Sequence, residues 1–489
     1  MDIIVIGAGF AGLSCAARLA AEGNKVTILE KNESLGGRAR EWKTEGFTFD
    51  MGPSWYLMPE VFDELFKDLN LNREDYYELV ELDTYYKVFF ENHPPLTISS
   101  DFENTLEVFR SLEDQGDKKL KDYLDKAAYK YNVAMSEFLY KDYKHIGQFF
   151  NRKMMTEGLK LDIFSPLDKF VSKYFKDIRA KQILEYAMVF LGNSPKNAPA
   201  LYSLMSHVDL NLGVYFPKGG MHAVAKGLAR VCMEKGVSIH VNQEVTSYKM
   251  EGKRIRSVVT RNKEYPADLV IMTGDYHHGE TELLPPSHQT YPSKYWKKKT
   301  MAPSMLLAYI GTNKKFPELE HHNLYFSEDW DAHFDTIFKT KTWPDNPCFY
   351  LSVISKTDPE MAPSEGDNLF LLFPVAPGMD DSQREAYFDK ALAHVEQRTG
   401  QTIKDSIIVK RLYSHRDFTE DYNAYKGTAL GLAHTLFQTA VFRPGHKSKK
   451  VRNLWYNGQY THPGVGVPMT LISSKILAQE IKNESKRLT

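Results

Sequence analysis

The chain opens on a four-residue apolar run, Ile3-Ile-Val-Ile6, that passes directly into Gly7-Ala-Gly-Phe-Ala-Gly12 and then into Leu13, Ala16, Ala17 and Ala20 at helical spacing. A short continuous apolar run reads as a strand buried on both faces, and recurrence at three and four residues reads as a helix. The three glycines between them restrict the fold more than any other feature. Gly7 permits the tight turn out of the strand, Gly9 lets the backbone approach a pyrophosphate, and Gly12 lets helix and strand pack closely. Phosphates at this turn, beside Ala11, meet free N–H groups and the positive end of the helix dipole. A second strand, Val26-Thr-Ile-Leu29, ends at Glu30. Its carboxylate is placed to accept from ribose hydroxyls and to repel a 2′-phosphate. The alternative is a tight turn without a ligand and an exposed Glu30.

The stretch after Glu30-Lys31 distinguishes one dinucleotide from another. Gly36-Gly37-Arg38 forms a second glycine turn with a cation for the phosphates, and after the strand-like Phe47-Thr-Phe49 comes a further turn at Gly52-Pro53-Ser54. A nicotinamide enzyme more often continues with another helix, so these turns favour the more extended FAD. The logic of strand, glycine loop and helix returns near the C-terminus in "NLWYNGQYTHPGVGVPMTLISSKILAQEI". There Gly458, Gln459, Gly466, Val467 and Met469 are expected to meet a flavin or its ribityl arm. Gln459 stands where many flavoproteins carry Asp.

At 489 residues the chain is long enough for two domains with separate cores. The 62 Lys+Arg against 63 Asp+Glu give no overall case for nucleic acid. Cys15, Cys232 and Cys348 are far apart, which argues against a disulfide framework or a zinc site. The pairs His277-His278 and His321-His322 lack any completing ligand spacing, so no metal is expected. The N-terminus has no basic signal-peptide region, no apolar run is long enough to span a bilayer, and a cytoplasmic location is expected.

Hydrophobic texture divides the chain into interleaved pieces. The expected architecture is α/β: a Rossmann-like, amine-oxidase type FAD-binding domain from residues 1–85, 212–280 and 445–489, interleaved with a mixed sheet-plus-helix substrate domain from 86–211 and 281–444. Residues 103–190 read as largely helical, through Leu139, Tyr143, Ile146, Phe150 and Met154. Alternation predicts a hairpin at Val245–Met250 and Ile255–Thr260, a strand at Leu269–Met272, and strands in "SMLLAYIG" and "NLFLLFPVA".

Together, "VIGAGFAGL", "EKNESLGGRAR", "GFTFDMGPS", "FPKGGMHAVAKGLA" and "GQYTHPGVGVP" resemble the bacterial-type phytoene desaturases, carotenoid desaturases of the flavin amine oxidase superfamily. The resemblance implies bound FAD, with Val245 near the adenine, and dehydrogenation of a long polyene, most simply phytoene to lycopene. Sister activities remain open: a carotenoid 3,4-desaturase, a hydroxycarotenoid desaturase, or a redox-neutral carotene isomerase. It also implies a lipophilic carotene substrate, oxygen or a quinone as electron acceptor, and peripheral attachment to the inner face of the cell membrane.

Removing hydride and proton from CH₂–CH₂ needs few polar groups, because the flavin carries the difficult step. His462, in the loop expected beside the flavin, is the first candidate for a proton acceptor or orienting group, with a purely loop-bonding role as the alternative. Asp209 and Glu185 are the further candidates, and Asp275 is a candidate for closing the FAD domain or capping a helix. Between Lys141 and Lys181 stand ten basic residues against five acidic ones, accompanied by Phe149, Phe150, Phe164, Phe170 and Phe175. That pattern suits a bilayer interface or a helical lid. The runs "YWKKK" at 295–299 and "KSKKVR" at 447–452 fit lipid headgroups or solvated turns.

Overall fold

The computed structural model describes residues 1–141 and 161–488. The sequence expectations for Tyr143, Ile146, Phe149, Phe150 and Met154 lie outside the described residues. Asp2–Ile6 is the central strand of a five-stranded parallel sheet in the order Leu454–Tyr456, Leu269–Met272, Asp2–Ile6, Lys25–Leu29, Ser238–His240. In its register Ile3 sits between Leu269 and Val26.

Alternation explains why this strand is apolar from Ile3 to Ile6. Ile3 and Val5 join a core with the helices Phe10–Ala21, Met221–Glu234 and Val467–Leu488. Ile4 and Ile6 join a second core on the opposite face, with Val245, Tyr248 and Val258 of the antiparallel hairpin Val245–Glu251 and Arg254–Thr260. Both faces are covered from Ile3 to Ile6, so none of these four positions tolerates a polar residue, whereas Asp2 at the strand's start is exposed. Ala16 and Ala17, fully buried, let the first helix lie close to its neighbours.

One boundary moves. Leu283, Leu284, Trp296 and Met301 share the core of Ile4 and Ile6. Residues 283–301, expected with the second substrate-domain piece, therefore pack on the dinucleotide side because their apolar side chains cover the sheet's second face.

The other large sheet has seven strands, in the order Ile407–Tyr413, Ser304–Thr312, Asn368–Val375, Phe349–Ser352, His322–Phe326, Thr84–Phe90, Leu96–Ser99. Its pairs are antiparallel except that His322–Phe326 runs parallel to Thr84–Phe90. Leu306, Ala308 and Ile310 face Phe388, Leu392 and Val395 of the helix Arg384–Thr399. Met305, Leu307 and Tyr309 face a larger core that includes the helices Phe102–Leu112 and Gly116–Val133. This second face also forms one wall of the functional cavity.

A hairpin of Glu41–Thr44 and Phe47–Asp50 joins the two halves. Phe47 and Phe49 enter the substrate-side core, while the Asp50 carboxylate accepts from Met221 N–H at 2.9 Å and His222 N–H at 3.3 Å. It thereby satisfies the start of Met221–Glu234. Gly220 is required there, since a Cβ would stand 2.7 Å from Asp50 Oδ1.

Candidate functional site

One cavity of about 1050 Å³ runs from the glycine turns to the wall of the seven-stranded sheet. At the dinucleotide end its surface is largely backbone. Gly7 N–H donates to Leu29 O at 2.8 Å and Gly36 N–H to Ala8 O at 2.8 Å, which ties the two glycine turns side by side. Gly9, Ala11, Gly36 and Gly37 line the cavity, and among the described residues no side chain caps the helix Phe10–Ala21 at Gly9. The helix start is left for an anion. Gly12, counted with the cofactor glycines, does not itself line the cavity; it serves the close packing of helix on strand that its spacing predicts. A Cβ there would stand 2.0 Å from Gly7 O, so its role is to let helix and turn touch.

Glu30 lines the cavity and also holds the turn, Oε2 accepting from Ala8 N–H at 2.7 Å and Oε1 from Asn32 N–H at 2.9 Å. Lys31 lines it too, but its ammonium is engaged by Glu420 O, Asn423 Oδ1 and the Glu244 carboxylate. Arg38 is the group that asks for a ligand. Its Nε and Nη2 are buried without a partner among the described residues, and its guanidinium lies 5.0 Å from the centre of the Tyr422 ring. Unmet cationic donors beside two glycine turns fit the diphosphate of FAD. Gly52 supports Arg38 from behind, since a Cβ would meet Arg38 O at 2.4 Å.

Pro53, Ser54 and Val245 border the same cavity, as do Gly458, Gln459, Gly466, Val467 and Met469. Asp275 lines it while capping the helix Tyr276–Thr281 by accepting from His278 N–H at 3.1 Å. It also accepts from Tyr460 O–H at 2.5 Å.

Beyond the turns the lining becomes apolar: Trp55, Tyr186, Met205, Leu307 and Leu372, with Tyr350. Trp55 stacks on His322, ring centres 4.2 Å apart and planes at 8°. His322 Nδ1 lies 2.6 Å from Tyr350 Oη, and His321 Nδ1 lies 2.6 Å from Thr357 Oγ1. Burial holds both histidines neutral, pushing His321 down to about 3 and His322 well below its usual range. They are core residues that brace the aromatic wall.

Residues 10–482 match the family of flavin containing amine oxidoreductases. The chain is 42% identical over 485 residues to a carotenoid 3,4-desaturase of Haloarcula japonica, covering 98% of each. It is 31% identical over 503 residues to the 4,4'-diapophytoene desaturase (4,4'-diaponeurosporene-forming) of Staphylococcus aureus, covering 100% of each. A crystal structure of an oxidoreductase from Methanosarcina mazei superposes with a TM-score of 0.63 at 16% identity, covering 99% of this chain and 100% of that one. The chain belongs to the carotenoid desaturases of the flavin containing amine oxidoreductase family. It is an FAD-dependent oxidoreductase acting on CH–CH groups.

Within this flavoenzyme the three candidate proton acceptors part company. Asp209, on the helix Leu204–Leu210, borders the apolar chamber. Its Oδ2 accepts from Tyr86 O–H and Tyr186 O–H, each at 2.9 Å, while buried Oδ1 has no partner among the described residues. Burial pushes its carboxyl up to about 7 although both tyrosines favour the ionised form. His462 lines the cavity, and its Nε2–H donates to Phe138 O at 3.0 Å. A carbonyl only accepts, so Nε2 carries a proton and the bond orients the ring. Glu185 ends the helix Ile178–Glu185, buried and outside the cavity lining. Burial raises it to about 8, with Asp168 adding to the effect. Outside that lining, it lacks the contact that its candidacy requires.

Two residues that sequence reasoning missed hold the flavin-side loop. Arg443 donates to Gln459 O at 2.6 Å and Tyr460 O at 3.3 Å, and to Leu432 O and Gln438 O. His434 Nε2 accepts from Val465 N–H at 3.0 Å, which leaves Nδ1–H to donate to Tyr202 Oη at 3.0 Å. Nothing in "GLAHTLFQTAVFRPG" announces either role, because the loop backbone that each holds, at Gln459, Tyr460 and Val465, is brought near only by folding.

Proposed function

We propose that the protein inserts a C=C bond into a carotenoid, with 3,4-desaturation as the first reading and stepwise desaturation of phytoene towards lycopene as the second. The observation that carries desaturation is the continuity of the cavity, from a dinucleotide cradle into an aromatic and aliphatic chamber bordered by a carboxylate, Asp209, whose Oδ1 has no partner among the described residues. The preference for the 3,4 position rests on 42% identity to a 3,4-desaturase against 31% to diapophytoene desaturases. The phytoene reading rests on the five sequence motifs.

FAD, when bound, supplies the hydride acceptor. The chain's own residues do the rest. Trp55, Tyr186, Leu307 and Leu372 hold an extended polyene and exclude water from a site where positive charge develops on carbon. Asp209 Oδ1 takes the proton that balances the lost hydride, and Tyr86 and Tyr186 hold the carboxylate in position. His462 is an orienting residue of the loop. Oxygen or a quinone reoxidises the enzyme, and a lipophilic substrate implies work at a membrane surface.

The test supplies FAD-loaded protein with phytoene, lycopene and hydroxylated acyclic carotenes, and records product spectra and masses. Loss of two hydrogens at the 3,4 position supports the first reading; conversion of phytoene to lycopene replaces it with the second. A mass-neutral product formed anaerobically with prereduced flavin sinks both in favour of isomerisation.

A further inference from the structure

The helix His415–Tyr422 belongs to the substrate side, where Phe418 joins the larger core, yet its last residues reach the dinucleotide crevice. A capping box of Ser414 and Asp417 starts the helix, and Asn423, in the left-handed region at φ 52°, ends it and redirects the chain. Asp421, Tyr422 and Asn423 then line the same cavity as Gly9 and Arg38.

Residues 420–425 are tied to both banks of the crevice. On one bank, after the strand Lys25–Leu29, Lys31 Nζ donates to Asn423 Oδ1 at 3.0 Å and to Glu420 O. Asn32 Nδ2 donates to Asp421 O at 3.1 Å, and Arg40 pairs with the Asp421 carboxylate. On the other bank, after Leu269–Met272, Asp275 Oδ2 accepts from Tyr425 N–H at 3.2 Å. There His277 also stacks on Tyr425, ring centres 3.9 Å apart and planes at 21°. These two strands flank Asp2–Ile6, whose end carries the first glycine turn. A segment fastened to both neighbours spans the crevice in which a dinucleotide lies at the ends of parallel strands.

Tyr422 has a second part. Its ring centre lies 5.0 Å from the Arg38 guanidinium and 5.2 Å from that of Arg40, and of these two arginines Arg38 lines the cavity. A guanidinium stacked on a ring keeps the N–H groups along its edge available. The stack therefore fixes the plane of Arg38 while sparing the donors that a diphosphate needs.

We infer that residues 420–425, supplied by the substrate side, form a strap across the FAD site, that Tyr422 positions Arg38, and that FAD enters and leaves only when the strap's ties open. The cofactor thus fastens the two halves of the molecule to each other. This holds whichever carotenoid the chamber takes.

The test follows exchange of bound FAD for radiolabelled FAD in the holoenzyme, and uptake of FAD by apoprotein in stopped flow. Asp421→Asn weakens the tie to Arg40 with almost no change of shape, and release is expected to quicken about tenfold. Uptake should quicken as well, because the same tie holds the strap shut in both directions, so affinity changes less than either rate. Tyr422→Ala should quicken both rates and also lower affinity further than Asp421→Asn, since Arg38 loses its support. Lys410→Ala, which breaks a pair with Glu385 on the substrate side away from the cavity, is expected to exchange FAD at the wild-type rate. An unchanged Tm in excess FAD certifies that each variant is folded. Wild-type exchange rates in both strap variants, faster release with unchanged uptake, or equal acceleration in Lys410→Ala overturns the inference.

Discussion

The two ends of the cavity recognise their contents by opposite means. At the dinucleotide end Gly7, Gly9, Gly36, Gly37 and Gly458 present backbone, and Glu30 and Arg38 are among its charged groups. At the chamber end side chains form the surface, and Asp209 stands among aromatic and aliphatic groups. Backbone recognition of a phosphate tolerates no Cβ, so it fixes residue identity at each position. Apolar recognition asks only for volume and shape, which many residues supply. The first end should therefore fail sharply under single substitutions and the second gradually.

The largest effect is expected at Gly12. A Cβ 2.0 Å from a backbone oxygen has no flexible neighbour to displace, so Gly12→Val separates helix from turn. Overpacking of this kind costs about 1–3 kcal/mol where side chains yield, and more against backbone. Flavin content after gel filtration should fall below about a tenth of wild type, with a lowered Tm. A variant with normal flavin absorbance and Tm breaks the contrast between the two ends.

Next comes Asp209→Asn, which keeps the shape and removes the base. A general base contributes about 10²–10⁴-fold, so kcat should drop by that range while flavin stays bound. The pH profile gives the sign. Burial raises the carboxyl from 3.8 to about 7, and only the ionised form accepts a proton, so turnover should rise with pH and level off above about 7. The same shift leaves the native state holding a proton that the unfolded chain has released between these two values. Stability from this group therefore falls as pH rises through that window. A flat wild-type profile, or near-normal turnover in the variant, removes Asp209 from proton transfer.

Arg38→Ala sharpens the comparison from the cofactor side. A hydrogen bond to a charged partner contributes about 1.5–3 kcal/mol, so FAD affinity should weaken about 10–100-fold, read by titrating apoprotein. Arg38→Lys should recover part of it as a point charge without the fork. Glu30→Ala should also weaken FAD retention, but Glu30 additionally holds Ala8 and Asn32, so its loss lowers Tm as well.

The same contrast explains what the sequence could disclose. Gly7 through Glu30, the turns at Gly36 and Gly52, and the C-terminal loop were readable because local spacing encodes a local geometry. The alternation of Leu306 and Leu307 onto opposite faces was readable for the same reason. Arg443 and His434 were not, since each supports a loop through carbonyls and amides that only the folded chain brings near. The packing of 283–301 on the dinucleotide side was also hidden: Trp296 and Leu283 are apolar enough for either core, and periodicity does not say which sheet they cover. Among the proton-acceptor candidates, His462 drew attention through its motif. Asp209 gained its distinctive setting from Tyr86, more than a hundred residues away in the chain.

The smallest effect is expected in the chamber wall. Leu372 lies opposite Leu307 and Tyr350 in neighbouring strands, and all three line the cavity. Leu372→Ala enlarges a surface that a long polyene touches at many points, so no single contact dominates. Removed methylenes in an apolar pocket change discrimination by about 10-fold per 1.4 kcal/mol, and the polyene can shift to share the loss. Turnover should fall less than about tenfold, while the ratio of desaturation products changes because the chain slides relative to the reacting edge. Leu307→Ala in the same molecule should add less than its separate effect, since the two side chains border one space. Additive losses, or a single substitution as damaging as Gly12→Val, indicate a chamber that grips at one point and erase the distinction between its wall and the cradle.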